Sequence, residues 1–172
     1  MGTSLTTHTT AGSGTHSASD AAYTGSARAT IATTILRVIC GFLFLAHGWQ
    51  KYFEYTIAGT QSTFASMGIP ASDIVAPLVA TLELAGGVAL ILGVLTRPVA
   101  ALLALNMFGA LVTQHLPGGV FVDNGGFELV LAFGGGAAAI AVLGGGAWSV
   151  DRMLFARSTG RAARFLYSGS RA

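Results

Sequence analysis

Charged residues are scarce in this chain: Asp, Glu, Lys and Arg together make up 9% of its 172 residues. A soluble globular domain has about 25%. Hydrophobic residues make up 52%, and the mean hydropathy is +0.66. Two runs without any charged residue, 98–122 and 129–150, approach or exceed the ~20 residues that cross a bilayer. The shortage of charge therefore argues against a soluble fold and indicates an integral membrane protein.

Several signatures of chemistry are also missing. Cys40 is the only cysteine, so the chain forms no internal disulfide and cannot by itself act as a dithiol relay. No His-x-x-His or Cys-x-x-Cys spacing occurs, and no metal site is predicted. The net charge of +2 comes mainly from arginines near the C-terminus that are not interleaved with aromatic residues. This pattern points to membrane orientation rather than to nucleic-acid binding.

The chain divides into a central apolar domain and two polar tails. Residues 1–29 are rich in Ser, Thr, Gly and Ala and bury too little apolar surface to fold, so we predict a disordered cytoplasmic tail. Residues 155–172 form an Arg-rich cytoplasmic tail. Residues 30–154 are predicted to form an all-α, four-helix transmembrane bundle. The four helices are expected at about 31–50, 74–95, 98–115 and 126–148.

Lys and Arg set the orientation of a membrane protein, because positive charge is held on the cytoplasmic side. With four spans, Arg28, Arg97 and the five C-terminal arginines fall on one side, and Lys51 falls on the other. Both termini are therefore predicted to be cytoplasmic. Arg97 then marks the turn between the second and third helices, and Asp151 and Arg152 mark the end of the fourth.

Ionisable residues inside the spans are costly and need compensation. Arg37 and Lys51 lie on one stripe of the first helix, and Glu83 lies well inside the second. We predict an outward-facing polar cavity whose candidate residues are Arg37, His47, Lys51, Glu83, His115 and Glu128. Such a set can move protons, bind a quinone carbonyl or coordinate a cation. The alternative is a structural network in which Glu83 pairs with Arg37 or Lys51 and fixes helix register.

Helix packing is expected to depend on small residues, because lipid supplies no hydrophobic drive for helix association. The glycines assigned to packing are Gly41, Gly48, Gly86, Gly87 and Gly93. Asn106 and Gln114 are interpreted as hydrogen-bonding groups between helices.

These residues, taken in order, resemble the DoxX family of small membrane proteins. The segment 37–51, R-x3-G-x5-HG-x2-K, is similar to the first-helix signature of that family. The segment 83–97, with E-x2-GG and then G-x2-TR, is similar to the second. Residues 107–128 resemble the third and fourth helices, and GGGAWSVD at 144–151 resembles the closing element, with Gly145 where proline is common.

The resemblance implies a multi-pass protein of the bacterial inner membrane that takes part in redox systems. Some relatives resemble a subunit of a thiosulfate:quinone oxidoreductase, and others join complexes with superoxide dismutase and a sulfurtransferase. We therefore expect the membrane subunit of a thiol, sulfur or quinone-linked oxidative-stress system, with quinone as a candidate ligand. It would not be an autonomous enzyme, because no flavin, haem or dinucleotide motif is present.

Two rival functions remain from the sequence: a non-catalytic scaffold that recruits soluble enzymes through the Arg-rich tail, and a small solute transporter. A four-helix unit of this size is also suited to forming homo-oligomers.

Overall fold

The computed structural model describes residues 14–155 of the chain. These residues contain no β-strand, which confirms the all-α prediction. The helices of this part of the chain are α1 (Gly14–Trp49), α2 (Thr56–Ser66), α3 (Ser72–Leu92), α4 (Thr96–Ala110), α5 (Glu128–Leu143) and α6 (Val150–Phe155).

Two of the long helices continue past their regular α-helical part. A π-helical turn, Gln50–Glu54, extends α1, and a second, Leu111–His115, extends α4 into a short 3₁₀ turn. Within the described residues, three apolar helical segments are long enough to cross a membrane: Ala27–Glu54, Ser72–Leu92 and Thr96–Gly118. The fourth apolar helix, α5, has 16 residues and is shorter. The chain is therefore a bundle of membrane helices, as expected.

The boundaries at the two ends of the bundle differ from the prediction. Helix α1 begins at Gly14, inside the segment 1–29 that was predicted to be a disordered tail, and residues 1–13 lie outside the described part. Extending an existing helix costs far less than nucleating one, and this segment is Ala-rich and lacks proline.

The fourth transmembrane helix ends earlier than predicted, at Leu143 rather than 148. Gly144 follows with φ 84° and ψ −168°, a conformation open to glycine but not to other residues. The connection between α1 and α3 contains a further short helix, α2. The Arg-rich tail was predicted from residue 155, the last residue of α6, and residues 156–172 lie outside the described part.

Helix α1 packs mainly against α3, and glycines let the two backbones touch. A Cβ on Gly87 would lie 2.6 Å from the carbonyl oxygen of Gly41 and 2.8 Å from the Cα of Leu45. A Cβ on Gly48 would lie 2.6 Å from the Cα of Leu84. Any larger residue at these positions would force the helices apart, so the contact requires glycine.

The other predicted packing glycines have different neighbours. Gly86 faces α4, where a Cβ would lie 3.2 Å from Leu103. Gly93 lies against the Arg37 side chain just after α3 ends. Helix α4 packs chiefly against α5, and a buried apolar cluster joins the two helix pairs. The buried members of that cluster are Cys40, Phe44, Leu90, Ala100, Leu103, Met107, Val130, Ala137 and Ile140.

The turn between α3 and α4 makes these two helices antiparallel neighbours. Gly93 (φ 74°) and Leu95 (φ 46°) both adopt left-handed backbone conformations there, so the chain reverses within three residues. The end of α5 and the start of α6 lie beside this turn, because Arg97 Nη2 donates to the Val142 carbonyl and Asp151 N donates to the Gly93 carbonyl. Lys51 lies at the opposite end of the bundle.

We expect Gly87→Ala to lower the free energy of unfolding by about 1–3 kcal/mol, the usual cost of adding a methyl group to a packed interface. Thermal unfolding in detergent, followed by size-exclusion chromatography, measures the change. Gly135→Ala is the matched control, because a Cβ on Gly135 has nothing within 4 Å. Equal stability of the two variants would show that the α1–α3 contact does not need glycine.

Candidate functional site

The residues predicted to line one polar cavity are divided among separate places. Lys51 and Glu83 form an ion pair between α1 and α3. Arg37 lies at the other end of the bundle, where it contacts the chain around Gly145. His115 and Glu128 bind the loop between α4 and α5. Arg37 therefore lies at the opposite end of the bundle from the Lys51–Glu83 pair. A shared cavity for the other candidate residues stays a prediction.

The Lys51–Glu83 pair is extended by a third residue from α4. Lys51 Nζ donates to Glu83 Oε2 at 2.5 Å, and Asn106 Nδ2 donates to Glu83 Oε1 at 3.1 Å. The side chain of Glu83 is 4% exposed and that of Lys51 is 18% exposed. Both carboxylate oxygens are thus satisfied within the bundle, while the Lys51 side chain is partly exposed. We call these three residues the Lys51–Glu83–Asn106 group.

Asn106 was expected to form a hydrogen bond between helices, but the sequence analysis did not predict Glu83 as its partner. The sequence does single out Asn106, because it is one of few polar residues in the charge-free run 98–122. The assignment of Glu83 to Lys51 rather than Arg37 resolves the two pairings that the sequence left open.

The π-helical turn presents Lys51 to Glu83 and is held by neighbouring hydroxyl groups. Thr60 Oγ1 on α2 donates to the Lys51 carbonyl at 3.1 Å and to the Thr56 carbonyl at 2.9 Å. The Tyr52 hydroxyl and Thr81 Oγ1 are hydrogen-bonded at 2.6 Å, which ties this turn to α3. Single π turns within α-helices are frequent at functional sites.

His47 lies one turn before Lys51 and is exposed. Its Nδ1 donates to the Leu43 carbonyl at 2.9 Å, so the proton is on Nδ1 in this contact. The ring stands edge-on to Phe133, with ring centroids 5.4 Å apart. His47 therefore borders the Lys51–Glu83–Asn106 group without bonding to it, and its Nε2 is the nitrogen left for a further partner.

His115 and Glu128 both bond to the connection between α4 and α5. His115 Nδ1 donates to the Gly125 carbonyl at 2.9 Å. Glu128 Oε1 accepts the backbone N–H of Val122 at 2.7 Å. Both contacts cross the loop, so these two residues fix its conformation.

Arg37 binds the chain segment that follows α5. Its Nη1 donates to the Gly145 carbonyl at 2.5 Å, and its Nη2 donates to the Trp148 carbonyl at 2.6 Å. The residue is 2% exposed. Carbonyl oxygens that α5 and its continuation leave without helical partners thus receive charge-assisted hydrogen bonds.

Asp151 completes the same end of the bundle from α6. Its Oδ1 accepts the N–H of Leu95 at 2.7 Å, and its Oδ2 accepts the N–H of Thr96 at 2.8 Å. These are amides at the start of α4, where a negative charge is also favoured by the helix dipole. Asp151 is 2% exposed. The contacts of Arg37 and Asp151 together form what we call the end clasp.

The two ends therefore differ in chemistry. The end clasp joins buried side chains to backbone groups of its own chain. The Lys51–Glu83–Asn106 group joins side chains to side chains and leaves an ammonium group partly exposed. Among the described residues, no group of three or more His, Cys, Asp and Glu side chains is arranged to hold a metal ion.

Comparison with known proteins finds a family model and several related membrane proteins. The DoxX family model matches residues 32–116. The inner membrane protein YqjF of Escherichia coli is 33% identical over 130 residues, which cover 72% of this chain and 92% of YqjF. The membrane protein Rv3486 of Mycobacterium tuberculosis is 35% identical over 142 residues, 75% of this chain and 85% of its own.

A third relative carries a name that indicates chemistry. The Bacillus subtilis protein named "Putative oxidoreductase CatD" is 39% identical over 101 residues, 59% of this chain and 72% of its own. No solved structure matches this chain.

We expect Asp151→Ala to destabilise the bundle by about 1–3 kcal/mol for each buried amide left without an acceptor. Asp151→Asn, which keeps one acceptor oxygen, should fall between this variant and the unchanged protein in thermal unfolding. Asp123→Ala is the control, because Asp123 is exposed in the α4–α5 loop. A loss no greater for Asp151→Ala than for Asp123→Ala would contradict a stabilising role for the end clasp.

Proposed function

This chain belongs to the DoxX family of membrane proteins, and from that premise we propose that it is the membrane subunit of a thiol- or sulfur-oxidising system linked to quinone. The observation that carries the proposal is the buried Lys51–Glu83–Asn106 group. Ionisable side chains inside a membrane bundle are costly and mark ligand or proton pathways. The name of the Bacillus subtilis relative supports an oxidoreductase role.

The residues present fit a quinone head group. A lysine ammonium has three N–H donors, and Lys51 uses one of them on Glu83. The others are suited to a carbonyl oxygen, and the partial exposure of Lys51 gives a ligand access. Close to Lys51 in the sequence, the exposed rings of Trp49 and Phe53 lie with centroids 4.1 Å apart, and such exposed aromatic side chains suit the membrane interface. A bound quinone would supply a two-electron, two-proton acceptor.

Each residue of the group has a distinct task in this proposal. Lys51 donates a hydrogen bond that binds and orients the ligand carbonyl. Glu83, ionised in the pair with Lys51, takes up a proton at Oε2 and passes it to the ligand oxygen. Asn106 holds Oε1, which keeps the carboxyl group oriented toward Lys51. His47, exposed one turn away, connects the group to protons at the surface of the bundle.

Electrons must come from a partner, because the sequence carries no flavin, haem or dinucleotide motif. Oxidation of two thiols to a disulfide releases two electrons and two protons, which balance reduction of one quinone to quinol. Soluble redox enzymes, such as a superoxide dismutase or a sulfurtransferase by family resemblance, are the proposed partners. The Arg-rich residues 157–171 are the proposed recruiting segment.

The proposal includes an orientation in the bacterial inner membrane with both termini in the cytoplasm. Arg97 and Arg152 support it, because they lie at the end of the bundle that carries the end clasp, opposite Lys51. The Lys51–Glu83–Asn106 group would then lie toward the outer side. Its ligand would enter from the outer leaflet, since Lys51 is partly exposed at that end.

We expect Glu83→Gln to reduce retained quinone by about tenfold or more, because it removes the charge-assisted hydrogen bond that positions Lys51 for the ligand, and such a bond contributes about 1.5–3 kcal/mol. The protein is purified in native-lipid nanodiscs, and its quinones and co-purifying proteins are quantified by mass spectrometry. Glu54→Gln is the matched control, because Glu54 lies on the same π-helical turn and is exposed.

Two outcomes would count against the proposal. If unchanged protein carries neither quinone nor stoichiometric redox enzymes, the Lys51–Glu83–Asn106 group serves transport or stability instead. If Glu83→Gln and Glu54→Gln retain quinone equally, the ligand binds elsewhere. Flux of a solute that depends on Glu83, without any redox activity, would establish the transporter alternative.

A further inference from the structure

The connection between α4 and α5 has properties of a segment that contacts lipid. We infer that residues 116–127, here called the α4–α5 loop, lie in the membrane interface with Phe121 among the lipid chains. Helix α5 is shorter than the hydrocarbon layer of a membrane, and the loop would supply the remaining length of the crossing. This inference does not depend on the proposed redox function.

The length of α5 is the first argument. Its 16 residues span about 24 Å at 1.5 Å per residue, against a hydrocarbon thickness of about 30 Å. The 21 residues of α3 span about 31 Å and match that thickness. Helix α5 alone therefore leaves several ångströms of the crossing to other parts of the chain.

The missing length falls at the start of α5, not at its end. At the end of the helix, Arg97 Nη2 donates to the Val142 carbonyl at 3.0 Å. An arginine side chain near a helix end places its guanidinium at the polar boundary of the membrane. The end of α5 is thus already at that boundary, and the shortfall lies at Glu128, where the α4–α5 loop joins the helix.

The surface of the loop is apolar at the position where lipid is expected. Val120, Phe121 and Val122 are consecutive and are 49%, 66% and 44% exposed. Leu116 at the start of the loop is 50% exposed. Residues 116–127 include neither lysine nor arginine. In water this cluster would be a costly surface, whereas in the interface it continues the lipid-facing surfaces of α4 and α5.

Several backbone groups of the loop are hydrogen-bonded within the protein, which lowers the cost of leaving water. The N–H groups of Gly126, Phe127 and Glu128 donate to the carbonyls of Phe121, Gly119 and Val120, each at 2.9 Å. The Val122 N–H donates to Glu128 Oε1, and the Gly125 carbonyl accepts from His115 Nδ1. A loop built for water would not need this degree of internal pairing.

The depth of the loop is limited by its polar residues. Asp123 and Asn124 are exposed directly after the apolar cluster. An ionised carboxylate is not stable among the acyl chains, so these two residues must reach the head groups or water. The loop therefore lies at the interface, with Phe121 on its lipid side and Asn124 on its aqueous side.

Tryptophan fluorescence tests this arrangement in the full-length chain. The exposed Trp49 and Trp148 are first replaced by Phe, and Phe121→Trp or Asn124→Trp is then added. The variants are reconstituted in phosphatidylcholine vesicles whose acyl chains are brominated near the head group. We expect Phe121→Trp to emit at shorter wavelength and to be quenched more by bromolipid than by aqueous iodide. Asn124→Trp should show the reverse order.

A second measurement protects the test against a tryptophan that distorts the loop. Cys40→Ala removes the single thiol, and Phe121→Cys or Asn124→Cys is labelled with a membrane-impermeant maleimide in variants that elute as the parent protein does. Labelling at residue 121 should be several-fold slower than at residue 124. Equal labelling rates, or water-like emission and strong iodide quenching at both positions, would show that the α4–α5 loop stands in water and would overturn the inference.

Discussion

The close approach of α1 and α3 at glycine is the constraint on which the rest of the molecule depends. Within lipid, helices are joined by packing and hydrogen bonds rather than by exclusion of water. Gly41, Gly48 and Gly87 let the two backbones touch along their length. Since Lys51 and Glu83 sit on these same helices, the backbone contact also sets the reach of the ion pair. Wider spacing would leave a carboxylate in the membrane without its cation, which is far more costly than the lost packing.

The polar residues inside the bundle serve two different purposes, and their partners distinguish them. Arg37 and Asp151 bond to carbonyl and amide groups of the backbone, so each satisfies a helix end that would otherwise be buried without partners. Glu83 bonds to two side chains, one of which is the partly exposed Lys51. In the function proposed above, only this second kind of buried charge contacts a ligand. The partners of each charge, more than its depth, are the basis for that distinction.

Most of the fold could be predicted from the sequence, because a long run without charged residues identifies a membrane-spanning helix regardless of which helices pack against it. The sequence left Arg37 and Lys51 as alternative partners of Glu83, and the structure shows the contact between Lys51 Nζ and Glu83 Oε2. Arg37 was grouped with Lys51 because both lie on one stripe of the first helix, but a shared stripe gives no depth, and Arg37 lies at the opposite end of the bundle. His115 and Glu128 have the predicted depth but are used by the loop between them. The π-helical turns were also beyond reach, because an average periodicity of 3.6 residues contains no sign of a local insertion.

The end clasp gives the C-terminal segment a direct mechanical connection to the membrane bundle. Asp151 receives two amides at the start of α4, and its own N–H donates to the Gly93 carbonyl at the end of α3. Tension applied beyond α6 is therefore delivered first to the turn between α3 and α4, ahead of α5. Glu83 and Asn106 belong to those same two helices. A soluble protein that pulls on the tail would act on the spacing of the helices that hold the carboxylate.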